Sequence, residues 1–403
     1  MPDKKIYNYA VDVDQQTLKQ FEECYSQDFV LAAALMPDAH VGYAAPIGSV
    51  LITKGFVVPA WVGFDIGCGL IAIKIKNKNI LEKIKKNIDE IFNQVNRDVP
   101  MGVGEYNKGE ITEKTKKEFQ ELIKKFESKP HDKQILQFLK ATALKHLGTL
   151  GGGNHFIELG YDIKEKNTLI PSRAYPNGHK REGTSKNEVW LIIHSGSRGI
   201  GYRVAKKYMI SASGDKSNYE KTFPLDVSSQ LGKEYLNILD FGLEYALLNR
   251  MEISYKVVSA IEKVLKEKLK TELYANKNHN HAVLEKGKYI HRKGATPAKK
   301  GEKGIIPGNM RDGTYLIEGK GSAKFLYSSS HGAGRAMSRH CAKKEITIEQ
   351  FRESMEGIKG NISKEILDEC PHAYKDIEKV MNSQKPSVEI IKKIKPLINW
   401  KGK

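Results

Sequence analysis

Asp65 and Cys68 stand three positions apart in "GFDIGCG", residues 63–69, with glycines around them. An acid and a thiol at that spacing offer an oxygen and a sulfur to a divalent cation, and a thiolate can bridge two. Alone, the stretch reads first as a small buried sulfur beside a turn-forming aspartate. Histidines elsewhere change the balance. His155 in "GGGNHFIEL", His194 in "IIHSGSRG", His279 and His281 in "NHNHA" and His331 in "SSSHGAGR" sit at Gly- or Asn-rich turns at the ends of apolar runs. Loops at strand ends are where a rigid sheet presents chemistry. Together with Asp65 and Cys68 they form an oxygen, sulfur and nitrogen set able to hold one or two divalent ions. Ligand softness alone favours zinc.

Each segment has its own chemistry. Gly151, Gly152 and Gly153 before Asn154 and His155 can turn backbone N–H groups toward an anion, or can simply form a hairpin turn. "HSGSRG" offers two hydroxyls and an arginine beside its histidine, suited to phosphate next to a metal or to a core-facing His with an unrelated turn behind it. In an extended "NHNHA", His279 and His281 point to opposite sides, so one site takes only one of them; His279, followed by Asn280, is preferred. In "SSSHGAGRAMSR" Gly332, Ala333 and Gly334 let a bulky ligand approach the backbone, and Arg335 and Arg339 are spaced to share a helical face. His331 suits a nucleophile that attacks phosphorus, a general base or a metal ligand, and spacing does not choose among them.

These groups need a sheet behind them. Apolar runs bounded by turn residues at 47–53, 69–75, 188–195, 314–319 and 324–330 read as strands. Helical periodicity marks 79–95, a segment around Phe119, Leu122, Ile123 and Phe126, and a long stretch from 236 to 269. Strands and helices do not alternate regularly, which predicts an α+β chain of mixed sheets flanked by helices, with the site on strand-end loops. Residues 1–403 are read as one catalytic domain. Polar stretches near 171–187 and 297–304 read as loops.

The chain is long enough to bury a sizeable core without disulfides. Its cysteines, Cys24, Cys68, Cys341 and Cys370, include no C-x-x-C pair, which points to a reducing compartment. No apolar run approaches a membrane span and no secretory signal opens the chain, so a cytoplasmic protein without membrane partners is expected. A net charge of +18 points to a polyanionic partner. Of the 66 basic residues only 11 are Arg, and the Lys-rich balance is in part general composition. The arginines carry more information: Arg198, Arg292, Arg311, Arg335 and Arg339 fall in or beside the Gly-rich segments, where a planar fork suits phosphate.

In chain order, "MPDAHVGYAAPIGSV", "GFDIGCG", "LGGGNHFIEL", "HSGSRG", "HNHA", "HRKGATPA", "IPGNMRDGTY" and "SSSHGAGRAMSR" resemble the serial signatures of the RtcB family, GTP-dependent tRNA-splicing and RNA-repair ligases. The resemblance runs from about Met36 to the C-terminus. It implies an RtcB-like α+β fold and an RNA ligase that joins a 3′-phosphate or 2′,3′-cyclic phosphate end to a 5′-hydroxyl end, using GTP and two Mn²⁺. It implies that His331 is the catalytic residue that takes up GMP, which then passes to the RNA 3′-phosphate and is displaced by the 5′-hydroxyl. Asp65, Cys68, His155, His194 and His279 match the metal ligands, Cys68 being shared, and manganese replaces the zinc that softness alone suggests.

The same matching implies a GMP pocket built from Asn154, His155, Phe156, Ile157 and Glu158, with His279 and Asn280. Pro307, Gly308, Asn309, Met310 and Thr314 join it, followed by His331, Gly332, Ala333 and Gly334, and by Lys401. Asn309 and Thr314 stand where the family commonly has serines, and Gly67 where asparagine is usual. The replacements at 309 and 314 both keep a hydrogen-bonding side chain, which implies that GTP use survives, and they resemble a divergent branch. RNA ends are the implied partner, with an archease-like activator as a second. The alternatives are a dinuclear phosphoesterase that hydrolyses RNA phosphate ends without joining them, and an RNA-binding protein with a vestigial site.

Overall fold

The computed structural model describes residues 4–107, 109–163 and 187–402, so nearly all of the loop expected near 171–187 lies outside the described residues. Helices and sheets are mixed, as expected of an α+β chain. The larger sheet runs, in spatial order, Lys303–Pro307, Thr314–Gly319, Val388–Trp400, Phe156–Asp162, Val189–Ser195, Gly69–Ile75 and Thr271–Asn278, every neighbour antiparallel. Val189–Ser195 is buried along its whole length because both faces are covered. Val189, Leu191 and Ile193 face one apolar cluster, shared with the helices Ile88–Asp98 and Gln230–Leu265; Trp190 and Ile192 face another. The second cluster lies inside the curl of the sheet, where the Tyr274 hydroxyl donates to the Ile317 carbonyl at 3.0 Å and Lys277 pairs with Glu302 at 2.6 Å.

A five-stranded sheet stands beside it: Lys5–Asn8, Val30–His40, Ile47–Thr53, Lys288–Lys293 and Asn280–Glu285. His279 is the single residue between Thr271–Asn278 of the larger sheet and Asn280–Glu285 of this one. The junction of the two sheets therefore carries an imidazole.

Three elements differ from their sequence patterns. The helix expected over 79–95 is two, Ile80–Lys86 and Ile88–Asp98, broken at Asn87, whose side-chain amide donates to the Lys83 carbonyl at 2.8 Å and competes with the helical ladder. The run 324–330 is a strand only at Ser328–Ser330, because Leu326 and Tyr327 take positive φ of 49° and 55° and end the extended path. The long helix begins at Gln230, capped by the Ser229 side chain, and stops at Leu265, where Lys266 turns left-handed. The stretch 297–304 is a short connection between Ala295–Pro297 and Lys303–Pro307. No helix among the described residues is long and apolar enough to cross a membrane.

Candidate active site

Strand register gathers the candidate ligands at one end of the larger sheet. Leu70 pairs with His194, Gly69 pairs with both Ser195 and Asn278, and Phe156 pairs with His194. Cys68, His155 and His279 each stand one residue beyond a paired position, so four side chains from distant segments converge. Trp400 pairs with Ile157, which brings Lys401 to the same edge. Glycine at 69 is required by this packing, since a Cβ there would lie 2.0 Å from the Lys277 carbonyl oxygen. At 196 a Cβ would lie 2.2 Å from Asp65 Oδ1, so the glycine of "HSGSRG" makes room for the acid of "GFDIGCG".

The cluster is held from behind by the long helix. Arg250, fully buried, donates to the Gly67 carbonyl at 2.9 Å, the Ser195 carbonyl at 2.7 Å, and Oδ1 of Asn278 and Asn276 at 2.5 and 2.7 Å. Its neighbour Asn249 donates to the Thr149 and Gly196 carbonyls and accepts from the Gly148 N–H. One helical turn thus fixes the backbone beside Cys68, His194 and His279.

Two ligand groups share one sulfur: Cys68, His194 and His279, and Asp65, Cys68 and His155. Cys68 Sγ lies 3.2 Å from His194 Nε2 and 3.4 Å from His155 Nε2; His194 Nε2 lies 3.2 Å from His279 Nε2, and His155 Nε2 lies 2.9 Å from Asp65 Oδ2. Asp65 Oδ1 also accepts from the Ser197 N–H. Burial, reinforced by His155 for one and by His331 for the other, pushes His194 and His279 well below the usual imidazole range, and both are neutral. Burial and the Asp65 carboxylate push the Cys68 thiol well above its usual range. Burial would raise Asp65 too, but His155 holds it below the ordinary carboxylate range. Neutral imidazole nitrogens facing one another and a sulfur, with a carboxylate alongside, are a donor set that divalent cations fit, a cation replacing the thiol proton.

His331 lies next to this cluster, its ring centroid 4.8 Å from that of His279. Behind it stands Asp38, which is completely buried and places Oδ2 2.6 Å from His331 Nδ1. The same oxygen accepts from the N–H groups of His331 and Gly332 at 3.1 and 3.2 Å. Burial would raise the Asp38 carboxyl, yet His331 holds it below its usual value. With the carboxylate facing Nδ1, Nε2 is the ring nitrogen left to act on a ligand. Gly334 has φ of 74° and lies so close to Asp38 that a Cβ would meet its carbonyl oxygen at 2.1 Å.

The cavity in front of these groups measures about 950 Å³. Asn154, Phe156 and Glu158 line it from the strand Phe156–Asp162 and the turn before it, Pro307 to Met310 from a second edge, and His331 to Gly334 from a third. Asn280 and Lys401 join them. Asn280 is tied down, accepting from the Gly294 N–H and donating to the Asp65 carbonyl. Asn309 shapes its own turn, accepting from the N–H groups of Arg311 and Asp312. Lys401 pairs with buried Glu369 and donates to the Gly153 carbonyl at 3.2 Å. Burial would raise Glu369, but Lys401 and Arg339 hold it down to about 2.

Ile157 is placed otherwise: it packs into the apolar core with Leu159 and Leu191 and does not line the cavity. Thr314 does not line the cavity either; it is buried beside Glu158, and apart from one another Glu158 Oε1 and Thr314 Oγ1 have no partner in the protein. An under-satisfied carboxyl on the cavity wall, that of Glu158, points to a polar ligand.

Burial pushes the Glu158 carboxyl up to about 8, the Thr314 hydroxyl offsetting only part of it. The folded state therefore holds a proton that the unfolded chain releases near its ordinary value of 4.5. Stability linked to this proton is complete below that value, declines as pH rises toward about 8 and is flat above. Glu158→Gln is expected to remove the decline and leave the ligand-free protein more stable at alkaline pH by on the order of a few kcal/mol. Urea unfolding across this pH range checks it; parallel curves for the two proteins would rule it out.

Several features differ from the sequence patterns. Arg335 and Arg339 do not share a helical face: Arg335 lies in a β-bridge with Tyr374 and the helix begins at Arg339. Both still reach Glu369, at 3.5 and 2.7 Å. The Gly151 concavity is filled by Arg198, which donates to Thr149 Oγ1 and the Gly102 carbonyl. His281 turns away from the cluster and lies 3.1 Å from buried Arg292. Asp38, Arg250 and Glu369 were not singled out from sequence. Asp38 had a signal, an acid inside the otherwise apolar run that ends at His40; Arg250 and Glu369 sit among ordinary charged helical or turn residues and had none.

A family model described as tRNA-splicing ligase RtcB matches residues 20–402. The chain belongs to the RtcB family. Among relatives of that family, the RNA-splicing ligase RtcB of Escherichia coli K12 is 30% identical, over 99% of this chain and 97% of that protein. The tRNA-splicing ligase RtcB of Methanococcus maripaludis is also 30% identical, over 91% of this chain and 87% of its own. The RNA-splicing ligase RtcB homolog 1 of Entamoeba histolytica is 30% identical over 93% and 81%. RtcB membership thus spans the strand that carries Asp38 and the loops that carry the Asp65–Cys68 pair and His331.

Proposed function

We propose that this chain is a cytoplasmic RNA ligase, one catalytic domain that joins an RNA 3′-phosphate or 2′,3′-cyclic phosphate end to a 5′-hydroxyl end. Family membership supports the reaction class. The observation that carries it further is the Asp38–His331 pair beside the Cys68-centred ligand cluster in one cavity. His331 Nε2 attacks the α-phosphorus of GTP, a P–N bond forms and pyrophosphate leaves. The RNA 3′-phosphate, freed at a 2′,3′-cyclic end by prior addition of water across the P–O2′ bond, then attacks that phosphorus through an oxygen, freeing His331 and giving RNA-3′-pp-5′-G. Finally the 5′-hydroxyl oxygen attacks the RNA phosphorus, loses its proton, and GMP leaves as the 3′,5′-phosphodiester closes.

Asp65, Cys68, His155, His194 and His279 would hold two Mn²⁺, which neutralise phosphate charge and favour in-line attack. Glu158, Thr314 and Lys401 offer polar partners to the guanine nucleotide, along with the backbone from Pro307 to Met310 and from Gly332 to Gly334. Incubation with α-labelled GTP and Mn²⁺ tests the proposal. The expected result is acid-labile label on the protein, absent in His331→Ala, that is chased into joined RNA. Release of phosphate from RNA ends without protein-bound label would assign a phosphoesterase instead.

A further inference from the structure

One wall of the cavity is aromatic and is not used by the chemistry above. Tyr43 is 64% exposed and Tyr202 50% exposed, and partly buried Phe64 lies between them. The Tyr43 and Phe64 rings meet edge to face at 5.6 Å, and those of Phe64 and Tyr202 are tilted at 5.0 Å. This row is bound to the reacting groups at several points. Phe64 immediately precedes Asp65; Tyr202 is in the helix Arg198–Ser213 that leaves the His194 loop; Tyr43 follows His40, whose ring stacks 6.5 Å from that of His331.

The platform is preorganised and basic. Gln20 holds the Tyr43 loop through three backbone contacts, donating to the Gly42 and Tyr43 carbonyls at 2.8 and 3.0 Å and accepting from the Gly42 N–H at 3.1 Å. Lys206 Nζ lies 6.0 Å from the Tyr202 ring centroid and 5.8 Å from that of Tyr219; Lys293 Nζ, 5.9 Å from the Tyr43 centroid, is buried and donates to the Ala60 carbonyl at 3.0 Å, so it stiffens the floor under Tyr43. Exposed rings with Lys206 beside them suit unstacked nucleobases, whose faces stack on aromatics while a phosphate meets the cation. A purely apolar peptide partner would leave Lys206 unused.

We propose that Tyr43, Phe64 and Tyr202 form a stacking platform for the terminal nucleobase of a single-stranded RNA end, with Lys206 against the adjoining phosphate. The inference rests on the RNA-ligase reading and adds a subsite to it. Because a ring face carries no donor or acceptor code, the platform accepts any of the four bases.

The test is a cycle between protein and RNA, read as binding anisotropy of a short labelled single-stranded RNA on the full chain. Tyr202→Ala and Tyr43→Ala are each expected to weaken binding on the order of tenfold, and Tyr202→Trp to retain it. Removing the terminal base, at the 5′ end in one arm and the 3′ end in the other, is expected to cost the wild type a similar factor in one arm and to cost the alanine variants nothing more there. That arm names the end held. If both arms cost wild type and variants alike, the platform is wrong while RNA binding stands. If no RNA binds at all, the ligase reading fails with it.

Discussion

Replacing Cys68 with alanine is expected to reduce bound Mn²⁺ from two ions to at most one and to lower GMP transfer to the protein on the order of a thousandfold. Cys68 contributes to both candidate ligand groups, so its loss removes a donor from each, whereas loss of His155 or His279 removes a donor from one. Little packing is lost, because alanine keeps the Cβ and only a sulfur-sized void remains, a cost of about 1 kcal/mol. Metal content by mass spectrometry and the thiolate-to-metal band of the Co²⁺ form follow binding without reference to turnover. Two bound ions and unchanged GMP labelling in Cys68→Ala would dismiss the shared-sulfur arrangement, whatever the variant's stability.

Asp38→Asn is expected to slow formation of the histidine–GMP bond about 10²- to 10³-fold while leaving GTP affinity nearly unchanged. Asp38 is fully buried behind His331 and faces its Nδ1, so it acts through the imidazole and not on the nucleotide. Asparagine keeps an oxygen for the His331 and Gly332 N–H groups but loses the charge that stabilises the ring as positive charge develops on it. Single-turnover labelling at several GTP concentrations separates the two effects. A rise in the GTP concentration for half-maximal labelling, with an unchanged limiting rate, would assign Asp38 to scaffolding.

Much of the site was legible because its chemistry is local. Each candidate ligand stands in a short Gly- or Asn-rich stretch next to a strand pattern, and both signals are visible without a fold. Strands at 47–53, 69–75 and 314–319 have the residues expected of them because apolar runs bounded by turn residues specify length and position together. What was not legible depends on partners. Ile157 belongs to the core because strand alternation turns it away from Phe156 and Glu158, and which face is the cavity face depends on pairing with Val189–Ser195. Arg250 reads as one more polar residue on a long helix until three strand ends arrive beside it. The breaks at Asn87 and at Leu326–Tyr327 come from single backbone choices inside strong periodic runs.

Arg250 has a consequence for how the protein matures. Residues 67, 195 and 278, which it joins, are separated by more than two hundred positions along the chain, and the sulfur and imidazoles beside them come together only when the sheet is complete and the helix has docked. A nascent or half-assembled chain presents scattered donors instead of a finished chelate. On the proposed function, capture of a divalent metal is then a late event that rewards only the native state, and chelators should lower the midpoint of global unfolding without creating an intermediate.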